Sequence, residues 1–352
     1  MTGTVVLAEV VDRVLMSLFW ATQERTGRNI LHLAKPLDAI APELGLEPEA
    51  LRVRVESARA RLFEERERRV RPLRDDKVLA DWNGLMIAAL ARASQVFEDA
   101  RLAEAAARAM RFVLTRMREE GGRLLHRFRA GDASIQGTVD DYAFVTWGLL
   151  ELYEATFDTS YLGEAGALTN DLLAHFGDDT AGGFFFTPDD GEPLLIRQKD
   201  IYDGAVPSGN SVAMLNLLRL CRITGDTGLE EKAADIAGAF AGAVGQFPSA
   251  YTQLMVAADF SIGPAHEVVV CGNPRDPDAR KMLATLRGRF IPNKVVIFKP
   301  EDAKEPEIVR LAPFVAAYHA IDDRATAYVC TNHACRLPTT DPEEMLKMLG
   351  EG

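Results

Sequence analysis

The pattern of apolar and polar positions repeats three times along this chain. Each copy begins with an apolar run of helical spacing, reaches a polar turn sixteen residues later and continues into a second helix. The copies open at Asp81, Asp141 and Gly209, so the successive offsets are 60 and 68 residues. Such self-similarity is typical of arrays of paired helices, in which neighbouring pairs bury faces that one pair cannot. The sequence therefore predicts a mainly α fold built from helical hairpins.

The same periodicity predicts the individual elements of the first 261 residues. In the repeat region, helices are expected near residues 83–97, 100–118, 141–156, 160–176, 209–223, 228–244 and 248–259. Before it, residues 4–22 have helical spacing, and a second long helix carries Leu51, Val55, Ala58 and Leu62 on one stripe. Two β-hairpins are predicted between the pairs, one joining 123–129 to 133–137 and one joining 183–187 to 194–199.

Near residue 262 the period changes from that of a helix to that of a strand. Apolar runs at 266–271, 294–298 and 326–330 predict three buried strands, and residues 282–290 and 342–349 predict helices. We therefore expect N-terminal helices in residues 1–75, the hairpin repeats in 76–261 and a small α/β appendage in 262–352.

Charge and composition exclude several classes of protein. The 352 residues contain 40 Lys plus Arg against 52 Asp plus Glu, and the net charge of -12 argues against nucleic acid as a partner. No apolar run is long enough for a membrane span. The four cysteines, Cys221, Cys271, Cys330 and Cys335, are too few for a disulfide scaffold, so we expect reduced thiols and a cytoplasmic location.

Alignment of the three copies places Trp82, Tyr142 and Asn210 at one position, the first turn of each first helix. In a toroid of helical hairpins, these helix starts and the loops beside them surround a central cavity, where aromatic rings suit stacking on a sugar. The alternative is that the same side chains fill the core. Asp81 and Asn83 flank Trp82 and are included as candidate substrate-binding residues.

Asp140 and Asp141 are the candidate catalytic residues, because adjacent carboxylates at a helix start could supply a general acid or a hydrogen-bond acceptor. The alternative is helix capping, which also favours Asp at this position. Asp203, Ser208 and Asn210 would form the other half of the pocket, although Ser208 could be a plain N-cap. Neither a metal site nor a cofactor is predicted. Cys330, His333 and Cys335 supply too few ligands for zinc, and the other histidines lack ligand spacing and are interpreted as structural: His32, His126, His175, His266 and His319.

Several long motifs resemble the thioredoxin-domain-containing family that includes spermatogenesis-associated protein 20. They lie at residues 29–33, 71–72, 75–86, 140–144, 207–211 and 328–338. The resemblance implies an (α/α)6 toroid similar to those of glycoside hydrolases and N-acylglucosamine 2-epimerases, normally preceded by a thioredoxin-like domain. The residues of that domain and of the first toroid hairpins have no match here.

Three functions remain open at this point. The leading hypothesis is a carbohydrate-binding or carbohydrate-processing toroid fragment, with a small sugar as ligand and glycosidase-like or epimerase-like activity as a possibility. The others are a noncatalytic interaction scaffold and a truncated copy without independent activity. Because a closed ring needs six hairpins, the isolated chain is expected to expose an apolar edge and either to self-associate or to bind a polypeptide that completes the ring.

Overall fold

A computed structural model describes residue 33 and residues 35–302, 304–331 and 334–350. It divides into two compact units, residues 1–75 and residues 76–352. The first unit contains α1 (Leu37–Glu43) and α2 (Pro48–Glu67). Leu51 of α2 is buried with Ile40 and Ala41 of α1, whereas most other α2 side chains are exposed, as expected for a charged outer surface. The helix predicted at 4–22 lies outside the described residues.

The second unit begins with three helical hairpins, and every helix that the periodicity predicts in this region is confirmed. The pairs are α3 (Ala80–Val96) with α4 (Ala100–Arg116), α5 (Val139–Thr156) with α6 (Thr159–Phe176), and α7 (Gly209–Thr224) with α8 (Thr227–Gln246). A 3-10 turn (Pro248–Ala250) leads into α9 (Thr252–Ile262). The mainly α fold of helical hairpins is therefore confirmed.

The turns inside the three hairpins share one feature, an aspartate that caps the second helix. The second helix of each pair follows an aspartate whose carboxylate accepts a hydrogen bond from a first-turn backbone N–H, at 3.0 Å in all three copies. These N-caps are Asp99, Asp158 and Asp226. The repeat in the sequence thus corresponds to a repeated turn, which stops one helix and starts the next.

The first helices pack side by side in the order α3, α5, α7, α9, and the second helices lie against their own partners. Gly84 of α3 meets the backbone of α5 so closely that an added Cβ would lie 2.5 Å from the carbonyl carbon of Phe144. Gly148 of α5 faces the carbonyl oxygen of Gly84 in turn. In the middle of the row α5 and α7 are buried along almost their whole length, so they form the centre of the core.

The first of the two predicted β-hairpins forms, and the second does not. Strand β2 (Leu125–Arg129) pairs with β3 (Asp132–Gln136) on one side and with β1 (Val78–Leu79) on the other. The segment 183–199 contains no strand; Phe186 and Gln198 share one backbone hydrogen bond of 2.7 Å. No third strand supports this second segment among the described residues, and a lone two-stranded hairpin is only marginally stable.

The C-terminal part contains a four-stranded mixed sheet in the order β5, β4, β6, β7. These strands are β4 (His266–Gly272), β5 (Lys294–Pro300), β6 (Thr326–Thr331) and β7 (Ala334–Cys335). They alternate with α10 (Pro277–Arg287), α11 (Glu307–Leu311), a 3-10 turn (Pro313–Ala317) and, at the end, α12 (Pro342–Met348). The three predicted strands are present.

The two faces of this sheet are buried by different neighbours. Val268 and Val270 pack with residues of α10 and α12. Val269 and Ile297, on the opposite face, belong to the same hydrophobic core as the helical hairpins. The core therefore runs across residue 262, where the sequence pattern changes.

Cys330 and Cys335 form a disulfide, so the prediction that all four cysteines are reduced is wrong for this pair. The two residues lie opposite each other in the register of β6 and β7, a pairing that sequence spacing alone does not reveal. Cys221 and Cys271 are free and buried. Among the described residues, no helix is both long and apolar enough to cross a lipid bilayer.

Candidate functional site

Four titratable side chains meet where the first helices begin. We call Asp81, His126, Asp140 and Asp141 the helix-start cluster. Asp81 lies in the first turn of α3, Asp140 and Asp141 lie in the first turn of α5, and His126 projects from β2. The sequence predicted the three aspartates at this rim and interpreted His126 as structural. The tertiary fold brings the histidine to them across a hairpin.

Asp141 is fully buried and its carboxylate is saturated with hydrogen bonds. Its Oδ1 accepts from the backbone N–H of Asp81 at 2.9 Å, and its Oδ2 accepts from the N–H and the hydroxyl of Thr138 at 2.7 and 3.0 Å. The contact with Thr138 is a capping box, so the capping alternative accounts for this residue. Asp141 therefore joins the starts of α3 and α5. Both of its oxygens are occupied by these contacts, so the side chain is not placed to exchange a proton with a ligand.

His126 is held in place by Asp141. Its Nδ1 lies 3.0 and 3.1 Å from the two carboxylate oxygens, and because a carboxylate can only accept, Nδ1 carries the hydrogen. The hydrogen bond to Asp141 raises the pKa of His126 above 6.5, with the nearby negative charges acting in the same direction against burial. Nε2 has no partner among the described residues, and a quarter of the side chain, 25%, is exposed.

Asp140 is only partly buried, whereas Asp141 is fully buried. Burial raises its pKa to about 7, the charges of Asp141, Asp81 and Asp200 raise it further, and a hydrogen bond from the N–H of Gly209 opposes the shift. Gly209 is the first residue of α7, and a Cβ there would lie 2.5 Å from Oδ1 of Asp140. Asp140 is therefore a carboxyl group that exchanges its proton near neutral pH beside the start of α7.

The start of α3 supplies the accessible part of the rim. Trp82 is 62% exposed, and Asp81 is partly buried with its Oδ1 accepting from the N–H of Trp82 at 2.7 Å. Burial first, and then the charge of Asp141, raises the pKa of Asp81. The Asn83 side chain donates to the carbonyl of Leu79 at 2.7 Å, so part of its hydrogen-bonding capacity holds the turn before α3.

Tyr142 is not available for stacking, because it is fully buried. Its ring centroid lies 5.1 Å from that of Phe176, and its hydroxyl accepts from Nε of Arg123 at 3.0 Å and from the N–H of Leu124 at 3.1 Å. The alternative that this aromatic fills the core is therefore the one that the geometry supports. Trp82, the equivalent residue of the first copy, differs because α3 is the first helix of the row.

Asn210, Ser208 and Asp203 are also occupied by contacts within the chain. Asn210 is fully buried; its Oδ1 accepts from the N–H of Phe184 at 2.7 Å, and its Nδ2 donates to the carbonyls of Phe184 and Asp200, both at 2.9 Å. The buried Ser208 is the N-cap of α7 and accepts from the N–H of Ser211 at 3.1 Å. These contacts contradict the expectation that the two side chains face a ligand.

Asp203 ties the loop before α7 to the start of α9. Its Oδ1 accepts from the N–H of Ser208 at 2.9 Å, and its Oδ2 accepts from the N–H groups of Gln253 and Leu254 at 2.8 and 3.1 Å. This side chain therefore positions a loop and caps a helix. Of the nine sequence-predicted site residues, Asp81, Trp82 and Asp140 retain chemistry that could face a ligand, and His126 joins them.

Within the described part of the chain, two groups of side chains have a geometry that could hold a metal ion. Asp81, His126 and Asp141 each offer an atom within 4.8 Å of the others, and so do the more exposed His175, Asp189 and Asp190. In the first group both Asp141 oxygens already accept hydrogen bonds, and Nδ1 of His126 faces one of them. In this arrangement a carboxylate orients an imidazole, as it does for a histidine that acts as a general base.

Comparison with known proteins gives clear sequence relatives. Spermatogenesis-associated protein 20 of Homo sapiens is 34% identical over 336 residues, which is 93% of this chain and 43% of that protein. The Rattus norvegicus protein is 34% identical over the same share of this chain. The chain is homologous to the spermatogenesis-associated protein 20 proteins over this span. It covers less than half the length of these relatives. No family model matches the sequence.

Solved structures give weaker likenesses. A cellobiose 2-epimerase from Bacillus thermoamylovorans has a TM-score of 0.41 and 16% identity, covering 47% of this chain and 45% of that one. A family 105 glycoside hydrolase from C. acetobutylicum has a TM-score of 0.39 and 14% identity, covering 60% of this chain and 61% of that one. These likenesses concern the fold only.

Proposed function

We propose that the helix-start cluster binds a small carbohydrate and moves a proton on it, with Asp140 as the proton donor and His126 as the acceptor. One observation carries this proposal: a carboxyl group with a pKa of about 7 and an imidazole fixed by a buried carboxylate lie in one cluster. Groups that titrate near the working pH are suited to general acid–base catalysis. The exposed Trp82 lies next to Asp81 and supplies an aromatic face for a sugar ring.

The roles divide among the residues as follows. Asp141 keeps the hydrogen on Nδ1 of His126, so in the neutral imidazole Nε2 is the nitrogen that accepts a proton from substrate. Asp140, protonated below about pH 7, donates to a leaving oxygen or a developing alkoxide. Asp81 can accept hydrogen bonds from sugar hydroxyls through Oδ2. The reaction class is glycosidic cleavage or epimerisation, both of which need one donor and one acceptor.

A noncatalytic scaffold is the second candidate, and a specific observation favours it. Asp141, Tyr142, Asp203, Ser208 and Asn210 all use their polar atoms to join helix starts and loops. A rim whose polar groups are engaged in this way would be rigid, and its function would then be to present a fixed surface to another macromolecule. A cytoplasmic location and a polypeptide partner that extends the row of hairpins belong to either candidate as proposals.

The test measures sugar binding and proton transfer separately. Mono- and disaccharides are screened by isothermal titration, and each is then incubated in D2O while NMR follows carbon-bound deuterium and glycosidic cleavage. We expect Trp82→Ala to weaken binding about tenfold. Asp140→Asn and His126→Asn should each lower turnover about 100-fold or more with little change in binding.

Two control variants leave the cluster intact. Phe97→Ala removes an exposed aromatic at the other end of α3, and Asp132→Asn removes a surface carboxylate from the β2–β3 turn. Both should behave as the wild type does. Sugar binding that Trp82→Ala weakens, without deuterium uptake or cleavage, would support a binding-only site. Absence of binding to every sugar would reject the proposal in favour of the scaffold.

A further inference from the structure

A cavity lies at the ends of α3 and α5 opposite the helix-start cluster, where these helices meet the C-terminal sheet. Its volume is about 330 Å³, within the range of small-molecule sites. It is bounded by the later parts of α3 and α5, by the loop after α10 and by the start of β5. Nothing in the proposed function uses this region.

Cationic side chains are concentrated at this cavity, although the whole chain carries a net charge of -12. The cations that line it are Arg92, Arg287, Arg289 and Lys294. Among the described residues that line it, the acidic ones are Glu151 and Glu154. Both are paired with the buried Arg219, whose Nη1 and Nη2 lie 2.8 and 2.9 Å from their oxygens, and Nη1 of Arg92 lies 3.5 Å from Glu151. Arg92 and Arg219 together balance the charge of the two carboxylates, so Arg287, Arg289 and Lys294 remain as excess positive charge in the described lining.

Arg287, Arg289 and Lys294 have no carboxylate partner among the described residues, and Arg287 donates to backbone carbonyls. Lys294 is partly buried, and its Nζ donates to the carbonyl oxygen of Ile291 at 3.1 Å. Arg289 is exposed and forms no ion pair with a described residue. Burial lowers the pKa of Lys294, which means that its ammonium would gain from a negative partner. The chain is acidic, yet none of its described carboxylates lies within ion-pair distance of Arg289 or Lys294.

The rest of the lining is apolar and partly aromatic. The guanidinium of Arg287 lies 5.6 Å from the centroid of Phe157 and donates to the carbonyls of Glu154 and Ala155 at the end of α5. Phe290 is 86% exposed at the mouth of the cavity. A ligand that fits these walls therefore combines a strongly anionic group with a flat apolar part.

We propose that this cavity binds a small phosphate ester, whose phosphate lies between Arg289 and Lys294 and whose apolar part lies against Phe157 and Phe290. A phosphate is favoured over a carboxylate because its oxygens and its charge can satisfy several cations at once, and guanidinium groups bind it through paired hydrogen bonds. The site is separate from the helix-start cluster and does not depend on the sugar proposal.

The experiment uses the full chain and phenyl phosphate as the probe, with phenol and inorganic phosphate in parallel titrations. We expect phenyl phosphate to bind more tightly than either fragment. Arg289→Gln and Lys294→Met should each weaken it about tenfold. Raising the salt concentration should also weaken it, because the attraction is partly screened. Arg108→Gln, which alters an exposed arginine of α4 outside the cavity, is the matched control and should bind as the wild type does.

Three results would overturn the assignment. They are no binding of phenyl phosphate, equal affinity for phenyl phosphate and inorganic phosphate, and unchanged affinity in the Arg289→Gln and Lys294→Met variants. Because Arg289 is exposed and unpaired among the described residues, its variant keeps the test valid if Lys294→Met does not fold. If the chain binds phenyl phosphate but no sugar, this site is supported and the proposed function is rejected.

Discussion

At the residue scale, two adjacent aspartates have opposite roles because their side chains enter different environments. Asp141 accepts hydrogen bonds from the backbone N–H groups of Asp81 and Thr138, whereas burial and neighbouring carboxylates raise the pKa of Asp140. Adjacent positions on a helix point in different directions, so one side chain enters the junction of α3 and α5 and the other meets α7. Substitution of Asp140 should therefore change how stability depends on pH, whereas substitution of Asp141 should lower the stability itself.

Asp140→Asn is expected to change how stability depends on pH. The folded pKa of about 7 exceeds the ordinary value of 3.8, so the folded state holds this proton more tightly and the wild type loses stability as pH rises from about 4 to 7. Asparagine cannot ionise, so the variant should gain about 1–3 kcal/mol relative to the wild type between pH 4 and pH 8.

Urea denaturation at a series of pH values measures this difference. Asp132→Asn, at the exposed β2–β3 turn, serves as the control for loss of one negative charge. Parallel stability curves for the wild type and Asp140→Asn across this range would contradict the assigned pKa.

Asp141→Asn is expected to destabilise the fold by about 2–4 kcal/mol, because an amide cannot accept from all the donors that surround it. The pKa of His126 should fall towards 6.5 at the same time, since the hydrogen bond that raises it is weakened. Chemical denaturation measures the first effect and NMR titration of the imidazole the second.

Asp189→Asn is the matched control for that variant. Asp189 forms a similar contact with Nδ1 of His175 at 3.0 Å, but this pair lies near the surface. Its loss should cost less than about 1 kcal/mol. If the two variants changed stability equally, the burial of Asp141 would not be the cause.

At the scale of elements, the contact between α3 and α5 depends on the absence of a side chain. Gly84→Ala would place a Cβ 2.5–2.6 Å from backbone atoms of Phe144 and Val145, and backbone cannot move aside as a flexible side chain can. We expect a loss of about 2–4 kcal/mol as the two helices separate.

Gly163→Ala tests the same substitution where there is room. Gly163 lies inside α6, and a Cβ added there would have no atom from outside its own helix within 4 Å, so alanine should be neutral or stabilise by up to about 1 kcal/mol. Thermal unfolding of both variants compares the packing effect with helix propensity. Similar melting temperatures for the two would show that the α3–α5 contact tolerates expansion.

At the scale of the whole molecule, the row of first helices has α3 at one end and α9 at the other. Helices α3 and α9 each lie beside one other member of the row, and both expose apolar side chains. These are Trp82, Met86 and Val96 on α3, and Met255, Val256 and Ile262 on α9. An array of hairpins buries such faces against the next unit, so these edges are the surfaces on which association is expected.

Sedimentation velocity over a range of concentrations tests this expectation. The chain should self-associate, and Val96→Ser combined with Val256→Ser should shift the distribution towards the monomer. Val53→Ser, at a 61% exposed position of α2, is the control for loss of one surface apolar group. A wild type that stays monomeric at every concentration would contradict a role for these edges in self-association.

The sequence by itself determined the helical hairpins and the three longer strands of the C-terminal sheet, because periodicity and N-capping aspartates are local signals. Only the tertiary structure decided which side chains remain available. Tyr142 and Asn210 share a repeat position with Trp82, but they are buried because α5 and α7 have neighbours on both sides. His126 joins the cluster, and Cys330 pairs with Cys335, through strand register that no spacing encodes.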